Sequence, residues 1–195
     1  MVNLPELTPL HAPSAPAPQL SPSDDRLAQA WQVLHTVLDP EVPAVSLCDL
    51  GIVRDVRLAE GHSLEGGVLE IVLTPTYSGC PATEVIESDV LAAIDAAGLG
   101  PARVLLQRAP AWTTDWISEA GLQKLRAYGI APPSPVAPEQ GVPIRFMPRR
   151  PAPGVPCPHC ASPRTERLSA FGSTACKALY RCLSCHEPFE HFKPI

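Results

Sequence analysis

The chain has 195 residues, a formal net charge of −5 and 25 prolines, whereas proline makes up roughly 5% of a typical protein. Because proline lacks a backbone donor and interrupts helices and sheets, this content excludes one uniformly compact fold. The acidic balance argues against a protein that binds nucleic acid through many phosphate contacts, since such binding draws its affinity from lysine and arginine.

The prolines concentrate in two segments, with six in residues 1–22 and nine in residues 131–156. Such segments bury too little apolar surface to fold alone. The sequence therefore predicts four parts: a disordered leader at 1–22, an α+β body at 23–130, a proline-rich linker at 131–154 and a four-cysteine zinc ribbon at 155–195.

The first predicted element of the body is an amphipathic helix that is capped by Ser23 and ends before Pro40. Its apolar face comprises Leu27, Ala30, Trp31, Leu34, Val37 and Leu38. Two short segments rich in β-branched residues follow at 52–58 and 68–73. They predict an antiparallel hairpin, because a turn-rich stretch separates them.

A second helix is predicted at about 81–97, with Pro81 in its first position and Val85 among the inward-facing residues. A third strand follows at 102–107. A terminal helix is then expected to pack Ile117, Leu122, Leu125 and Tyr128 inward. The body is therefore predicted as a small α-β-β-α-β-α domain, which a β-hairpin zinc ribbon follows; the fold class is α+β.

The predicted compartment is the cytoplasm. The first 22 residues have no basic n-region and no continuous apolar core, and no apolar run approaches the roughly 20 residues that span a bilayer. The seven cysteines are therefore interpreted as metal ligands or reactive thiols, because disulfides are rare in a reducing compartment.

Four of the cysteines form two C-x2-C pairs, Cys157 with Cys160 and Cys182 with Cys185. Two such pairs complete a tetrahedral four-sulfur site, and a domain of this size depends on such a staple. We predict structural zinc. A rubredoxin-like iron is the alternative, although rubredoxin-type pairs are usually followed by glycine, whereas Ala161 and His186 follow here.

The other tail residues with metal-binding side chains are given plainer roles. Cys176 is interpreted as a small buried side chain, with a substitute ligand or an exposed thiol as the alternatives. His159, His186 and His191 are interpreted as loop histidines, since four thiolates already fill a tetrahedral shell. A nucleic-acid-binding ribbon is the weakest hypothesis. Residues 131–195 carry a net charge of +4, but the body, with 15 acids and 7 bases, opposes it.

Two features of the body indicate chemistry. Asp39 and Glu41 lie in a loop stiffened by prolines, and the simplest interpretation is a turn whose carboxylates face water. Cys80 is predicted to cap the second helix, where backbone N–H groups and the helix dipole stabilise a thiolate. A low-pKa thiol and a neutral capping cysteine both remain open at this position.

Independent catalysis is not expected, and no catalytic residues are assigned. The sequence has no nucleotide-binding loop, no recognisable nucleophile–base spacing and no Glu-x-x-His motif for a di-iron site.

Several strings resemble a known family. DPEVP, DLGIV and TPTYSGCP resemble the metal–sulfur cluster assembly family with the DPE motif. The longer strings TPTYSGCPATE, PAWTTDWIS, LRAYGIAPP and FGSTACKALYRC are similar to the branch of that family that accompanies the multicomponent phenylacetyl-CoA epoxidase. The resemblance covers residues 24–130 and 155–195.

The resemblance implies an accessory maturation factor for an iron or iron–sulfur centre of that epoxidase in aerobic phenylacetate degradation. Cys80 would be a transient ligand for iron or a cluster, with Asp39 and Glu41 in the neighbouring acidic motif. The implied partners are the oxygenase subunits, the iron–sulfur reductase, or both. The alternative is a structural or electron-transfer component of the monooxygenase complex, which requires iron in the tail.

Overall fold

A computed structural model of the chain describes residues 22–59, 67–77, 79–133 and 154–195. The predicted leader and most of the predicted linker lie outside these ranges. The helices are α1 (Pro22–Leu34), α2 (Thr83–Ala96) and α3 (Glu119–Ala127), with a 3-10 turn at Thr114–Trp116. The strands are β1 (Val53–Leu58), β2 (Leu69–Leu73), β3 (Ala102–Leu106), β4 (Ile130–Ala131), β5 (Thr165–Ser169), β6 (Lys177–Cys182) and β7 (Pro188–Phe192). The element order confirms the predicted α+β class.

The first sheet has the order β1-β2-β3. β1 and β2 are antiparallel, as predicted, and β3 is parallel to β2 because α2 carries the chain back across the sheet. The buried face of α2 consists of Ile86, Val90 and Ile94, at helical spacing. Val85 was predicted to face inward, but its side chain is 49% exposed.

Two predicted helix ends are wrong. α1 ends at Leu34, because the amides of Thr36 and Val37 bond three residues back. The chain then turns, and Leu38 is exposed and forms a β-bridge with Ser46. The helix also starts at Pro22, so Ser23 lies within it and does not precede it. At the other end of the body, α3 stops at Ala127 and leaves Tyr128 exposed.

The second sheet joins the two predicted parts of the chain. Its order is β4-β7-β6-β5, and β4 comes from the segment directly after α3. β4 pairs in parallel with β7 through Ile130 and Ala131. The ring of Phe192 lies 6.0 Å from that of Trp112, and Phe192 belongs to the core of the body. The cysteine-rich part therefore packs against the body instead of standing apart from it.

The turn around Asp49 anchors the loop before β1 to α3. The Asp49 carboxylate accepts hydrogen bonds from the Ser46 amide at 2.9 Å and from Lys124 Nζ at 2.6 Å. The Asp49 carbonyl accepts one from the Ser118 amide at 2.8 Å. Gly51 follows with φ of +67°, and a Cβ there would lie 2.5 Å from the Trp116 carbonyl oxygen. Only glycine fits this approach.

We expect Asp49→Asn to lower the free energy of unfolding by about 1–2 kcal/mol at pH 7, because it removes charged hydrogen bonds in which the lysine is half exposed. Burial raises the pKa of Asp49, but the Lys124 and Ser46 hydrogen bonds outweigh it and hold the pKa below its usual value. The carboxylate therefore stabilises the fold above the unfolded-state pKa of about 3.9 and loses that effect as the pH falls through its lower folded value.

Urea unfolding of the two proteins at pH 7 and near pH 3 measures this difference, which should shrink at the lower pH. Asp55→Asn is the matched control. Asp55 is half exposed and pairs only with the half-exposed Arg57 at 3.6 Å, so its removal should cost less than about 0.5 kcal/mol. Equal losses for the two variants would contradict the anchoring role of Asp49.

Candidate metal centres

The two C-x2-C pairs converge on one point. The sulfurs of Cys157, Cys160, Cys182 and Cys185 all lie within 4.8 Å of one another. Cys157 Sγ is 3.8 Å from Cys185 Sγ, and Cys160 Sγ is 3.6 Å from Cys182 Sγ. A tetrahedron of sulfurs about 2.3 Å from zinc has edges of about 3.8 Å. The spacing therefore fits one tetrahedral metal ion and is too long for disulfides.

Each pair turns as a metal-binding knuckle. The residue after the second cysteine has a positive φ, 58° at Ala161 and 67° at His186, which explains why glycine is common there. The amides of Ser184 and Cys185 point at Cys182 Sγ, at 3.3 Å and 3.4 Å. Such N–H donors stabilise a thiolate.

The knuckle amides act most strongly on one sulfur. The Cys185 amide, with that of Ser184, lowers the pKa of Cys182 to about 6. The Glu187 amide lowers the pKa of Cys185, but burial and the neighbouring sulfurs outweigh it and raise the pKa to about 12. Four adjacent thiolates repel one another, so a cation is needed for all four to ionise together.

A second group of donors lines an internal cleft between the body and the cysteine-rich part. Asp39, Glu41, Cys80 and Cys176 line it, together with Phe192 and apolar side chains of the body. The cleft has a volume of about 10 Å³, which accommodates one water molecule or one ion. The three body residues singled out from the sequence therefore do lie together.

The acidic loop does not simply face water. Asp39 is buried, and its Oδ1 accepts the amides of Glu41 at 3.0 Å and Val42 at 2.8 Å. These bonds hold the DPE turn in shape and leave the second carboxylate oxygen for other contacts. Glu41 is only partly buried, so its carboxylate lies at the mouth of the cleft.

Cys80 is not a helix cap. α2 begins at Thr83 with Ala82 as its N-cap residue, so Cys80 and Pro81 lie in the preceding turn. The Cys80 amide bonds to the Tyr77 carbonyl at 3.3 Å, and the Cys80 carbonyl accepts the Thr83 hydroxyl at 2.8 Å. The predicted Pro81 position at the start of the helix is therefore wrong by two residues.

The expected low pKa of Cys80 is also wrong. Burial raises the pKa of Cys80, and the charges of Glu41 and Asp39 raise it further, against the Ala82 amide. Burial likewise raises the pKa of Asp39 and of Glu41. In each case the ionised form is disfavoured, and a bound cation would reverse this preference.

Sequence reasoning missed three residues at this cleft. Cys176 lines it from the cysteine-rich part, and the charge of Lys177 acts on both Asp39 and Glu41. The Tyr77 hydroxyl hydrogen-bonds with Cys80. No spacing pattern connects Cys176 to Cys80, because 96 residues separate them. Only the β4–β7 pairing brings them together.

His191 was predicted as a loop residue, but it lies in β7 and is buried. Its ring meets Tyr180 edge-on at 5.5 Å. Burial lowers the pKa of His191, against the Pro132 carbonyl. It is therefore a neutral packing residue and belongs to neither group of donors.

Two family models match the chain. The iron–sulfur cluster assembly protein model covers residues 27–105, which include the acidic loop and Cys80. The PaaD zinc beta ribbon domain model covers residues 144–193, which include all four knuckle cysteines. The two matches meet different parts of the chain, one for each group of donors.

A protein of Escherichia coli K12, provisionally named as the PaaD-type component of 1,2-phenylacetyl-CoA epoxidase, is 45% identical over 168 residues. The alignment covers 86% of this chain and 92% of that protein. The chain belongs to the PaaD family. Both metal-site candidates therefore lie within a PaaD architecture that combines an assembly-type domain with a ribbon.

Solved structures also resemble the assembly-type part of this PaaD family member. A domain of unknown function from Bacillus anthracis is 26% identical with a TM-score of 0.45, covering 52% of this chain and 92% of that one. A Mycobacterium tuberculosis protein, described as associated with Fe–S complex assembly and repair, is 33% identical with a TM-score of 0.33. That match covers 62% of this chain and 94% of that one.

The helices of this family member were also compared with the length and hydropathy that a bilayer requires. Among residues 22–59, 67–77, 79–133 and 154–195, none forms part of a helix long and apolar enough to span a membrane.

Proposed function

We propose that this chain is an accessory factor that supplies iron, or an iron–sulfur cluster, to a component of phenylacetyl-CoA epoxidase. The metal is its cargo, held for a short time by Cys80 with help from Asp39 and Glu41. The observation that carries this proposal is the meeting of these three side chains in a buried cleft the size of one ion. Membership of the PaaD family supplies the link to the epoxidase.

The electrostatics of the cleft support transfer of a cation. Asp39, Glu41 and Cys80 all resist ionisation in the absence of metal. Binding therefore displaces protons, and metal affinity should rise with pH by about tenfold per pH unit for each proton displaced. A ligand set of this kind holds its metal less firmly than preformed thiolates do, which suits delivery to a partner.

The ribbon has a different proposed role. Cys157, Cys160, Cys182 and Cys185 would hold structural zinc, and a closed four-sulfur site leaves no open position for chemistry. The purified chain should then be colourless and contain one tightly held zinc. A red chain with reducible iron in the ribbon would instead favour an electron-transfer component of the monooxygenase.

The proposed function is tested by expressing the oxygenase and reductase subunits with this chain, without it, and with its Cys80→Ser variant. Metal analysis of the purified partners should show at least a fivefold loss of iron in one partner, both without this chain and with Cys80→Ser. Activity of the epoxidase should fall in parallel. The partner that loses iron identifies the recipient.

Cys48→Ser is the matched control for this experiment. Cys48 is also a partly buried free thiol of the body, but it does not line the cleft, so the partner should receive its normal iron. Full iron content and activity in partners made without this chain would contradict the proposed function. Normal iron with Cys80→Ser would remove Cys80 from the delivery site.

A further inference from the structure

Cys176 is the ribbon's contribution to the cleft. It lies directly before β6, is 6% exposed, and packs with the core of the body. Its backbone is held by the Lys193 amide, which donates to the Cys176 carbonyl at 2.9 Å. Its sulfur lies 3.0 Å from Thr174 Oγ1. The thiol is therefore fixed at the wall of the cleft and is not a mobile surface group.

The charges around Cys176 are those that surround Cys80. Glu41 and Asp39 act electrostatically on both thiols. Tyr77 hydrogen-bonds with Cys80, and the charge of Cys176 also acts on its hydroxyl. Because such effects weaken quickly with distance, both thiols and both carboxylates border one small volume.

We propose that Cys176 supplies a second thiolate to the metal held at Cys80, so that the cleft is a two-sulfur, two-carboxylate site built by both parts of the chain. This inference rests on the metal-delivery function proposed above and extends its ligand set. Two thiolates and two carboxylates provide the four donors of a tetrahedral site for a divalent ion such as Fe²⁺, Co²⁺ or Zn²⁺.

The balance of charge in the cleft favours a divalent cation. Lys177 is the cation closest in sequence to Cys176, and it is buried and paired with Glu190 at 2.9 Å. Its charge is therefore largely compensated, whereas Asp39 and Glu41 add two negative charges beside two acidic thiols. A 2+ ion removes most of this repulsion.

The cleft is looser than the ribbon site. Within the described ranges, only the knuckle cysteines bring three or more such donor atoms within 4.8 Å of one another. The cleft donors must therefore draw together around an ion. Rigid sites bind more tightly than adaptable ones, so the ribbon is suited to retain its metal and the cleft to release it.

The ligand set is tested by adding Co²⁺ to the full chain with zinc already in the ribbon, where zinc is bound more tightly than cobalt. Wild-type protein should bind one Co²⁺ with thiolate-to-cobalt charge-transfer absorption. Cys176→Ser and Cys176→Ala should each weaken Co²⁺ binding at least tenfold and halve this absorption. Cys48→Ser should change neither value.

Zinc analysis shows whether each variant keeps an intact ribbon, with one zinc per chain. X-ray absorption at the cobalt edge of the wild-type protein counts the sulfur ligands without any substitution. Two sulfurs are expected. One sulfur, or unchanged Co²⁺ binding in both Cys176 variants while Cys80→Ser abolishes it, would overturn the second-thiolate proposal and leave the delivery function standing. No Co²⁺ binding in wild type would overturn both.

Discussion

Replacing Cys182 by serine is expected to unfold the ribbon and to destabilise the body as well. Structural zinc contributes about 10–16 kcal/mol to the folding of small zinc domains, which equals or exceeds the total stability of a typical domain of about 5–15 kcal/mol. Cys182 is fully buried and accepts two knuckle amides. Serine cannot replace its thiolate as a soft ligand.

The loss should spread beyond the ribbon because β7 pairs with β4 and Phe192 packs on Trp112. Hydrogen exchange should therefore accelerate in residues 154–195 and also around Ile130 and Trp112. Zinc analysis should find less than a tenth of the normal metal. Cys48→Ser, which lies away from the knuckles, should keep its zinc and its protection.

A strong chelator at pH 5–6 should have the same effect on the wild-type chain, since protons compete with metal for the sulfurs. A ribbon that stays protected from exchange after its metal has been removed would contradict the stapling role of the four cysteines. Protection lost only within residues 154–195, with the body unchanged, would contradict the coupling between the two parts.

Phe192→Ala is expected to lower the free energy of unfolding by about 3–5 kcal/mol, the usual cost of removing a buried aromatic ring. Phe192 is 1% exposed and lies in the main core. The knuckles do not include it, so the ribbon should keep its zinc. Because Phe192 also lines the cleft, Co²⁺ binding there should weaken, although no donor has been removed.

Urea unfolding monitored by tryptophan fluorescence measures the stability loss, since Trp112 contacts the deleted ring. Phe171→Ala is the matched control. Phe171 is in the same part of the chain but is 63% exposed, so its loss should cost less than about 0.5 kcal/mol. A similar small loss for Phe192→Ala would show that the ribbon does not complete the body's core.

The two proposed metal sites differ in how far the sequence predicts them. Paired cysteines at short spacing bring their own geometry, because a C-x2-C turn aims both sulfurs at one point. The ribbon cluster was therefore predictable, and the structure brings its four sulfurs together. The cleft has no local pattern, since its donors come from three separate segments.

Local propensity also misjudged the chemistry of Cys80. A cysteine followed by proline before a helix is typical of a cap position, and a cap stabilises a thiolate. In the structure two further residues precede the helix, and the thiol lies in a buried acidic pocket. Its pKa is therefore raised and not lowered, because burial and neighbouring charge are tertiary properties.

The sequence by itself determined the α+β class, the order of the body's elements and the cysteine knuckles. These depend on hydrophobic periodicity and short-range spacing, which act within a few residues. The tertiary structure alone decided that β4 joins the ribbon sheet and that Cys176 lies beside the acidic loop. Contacts between segments about a hundred residues apart arise from packing of the whole core, and no local pattern encodes them.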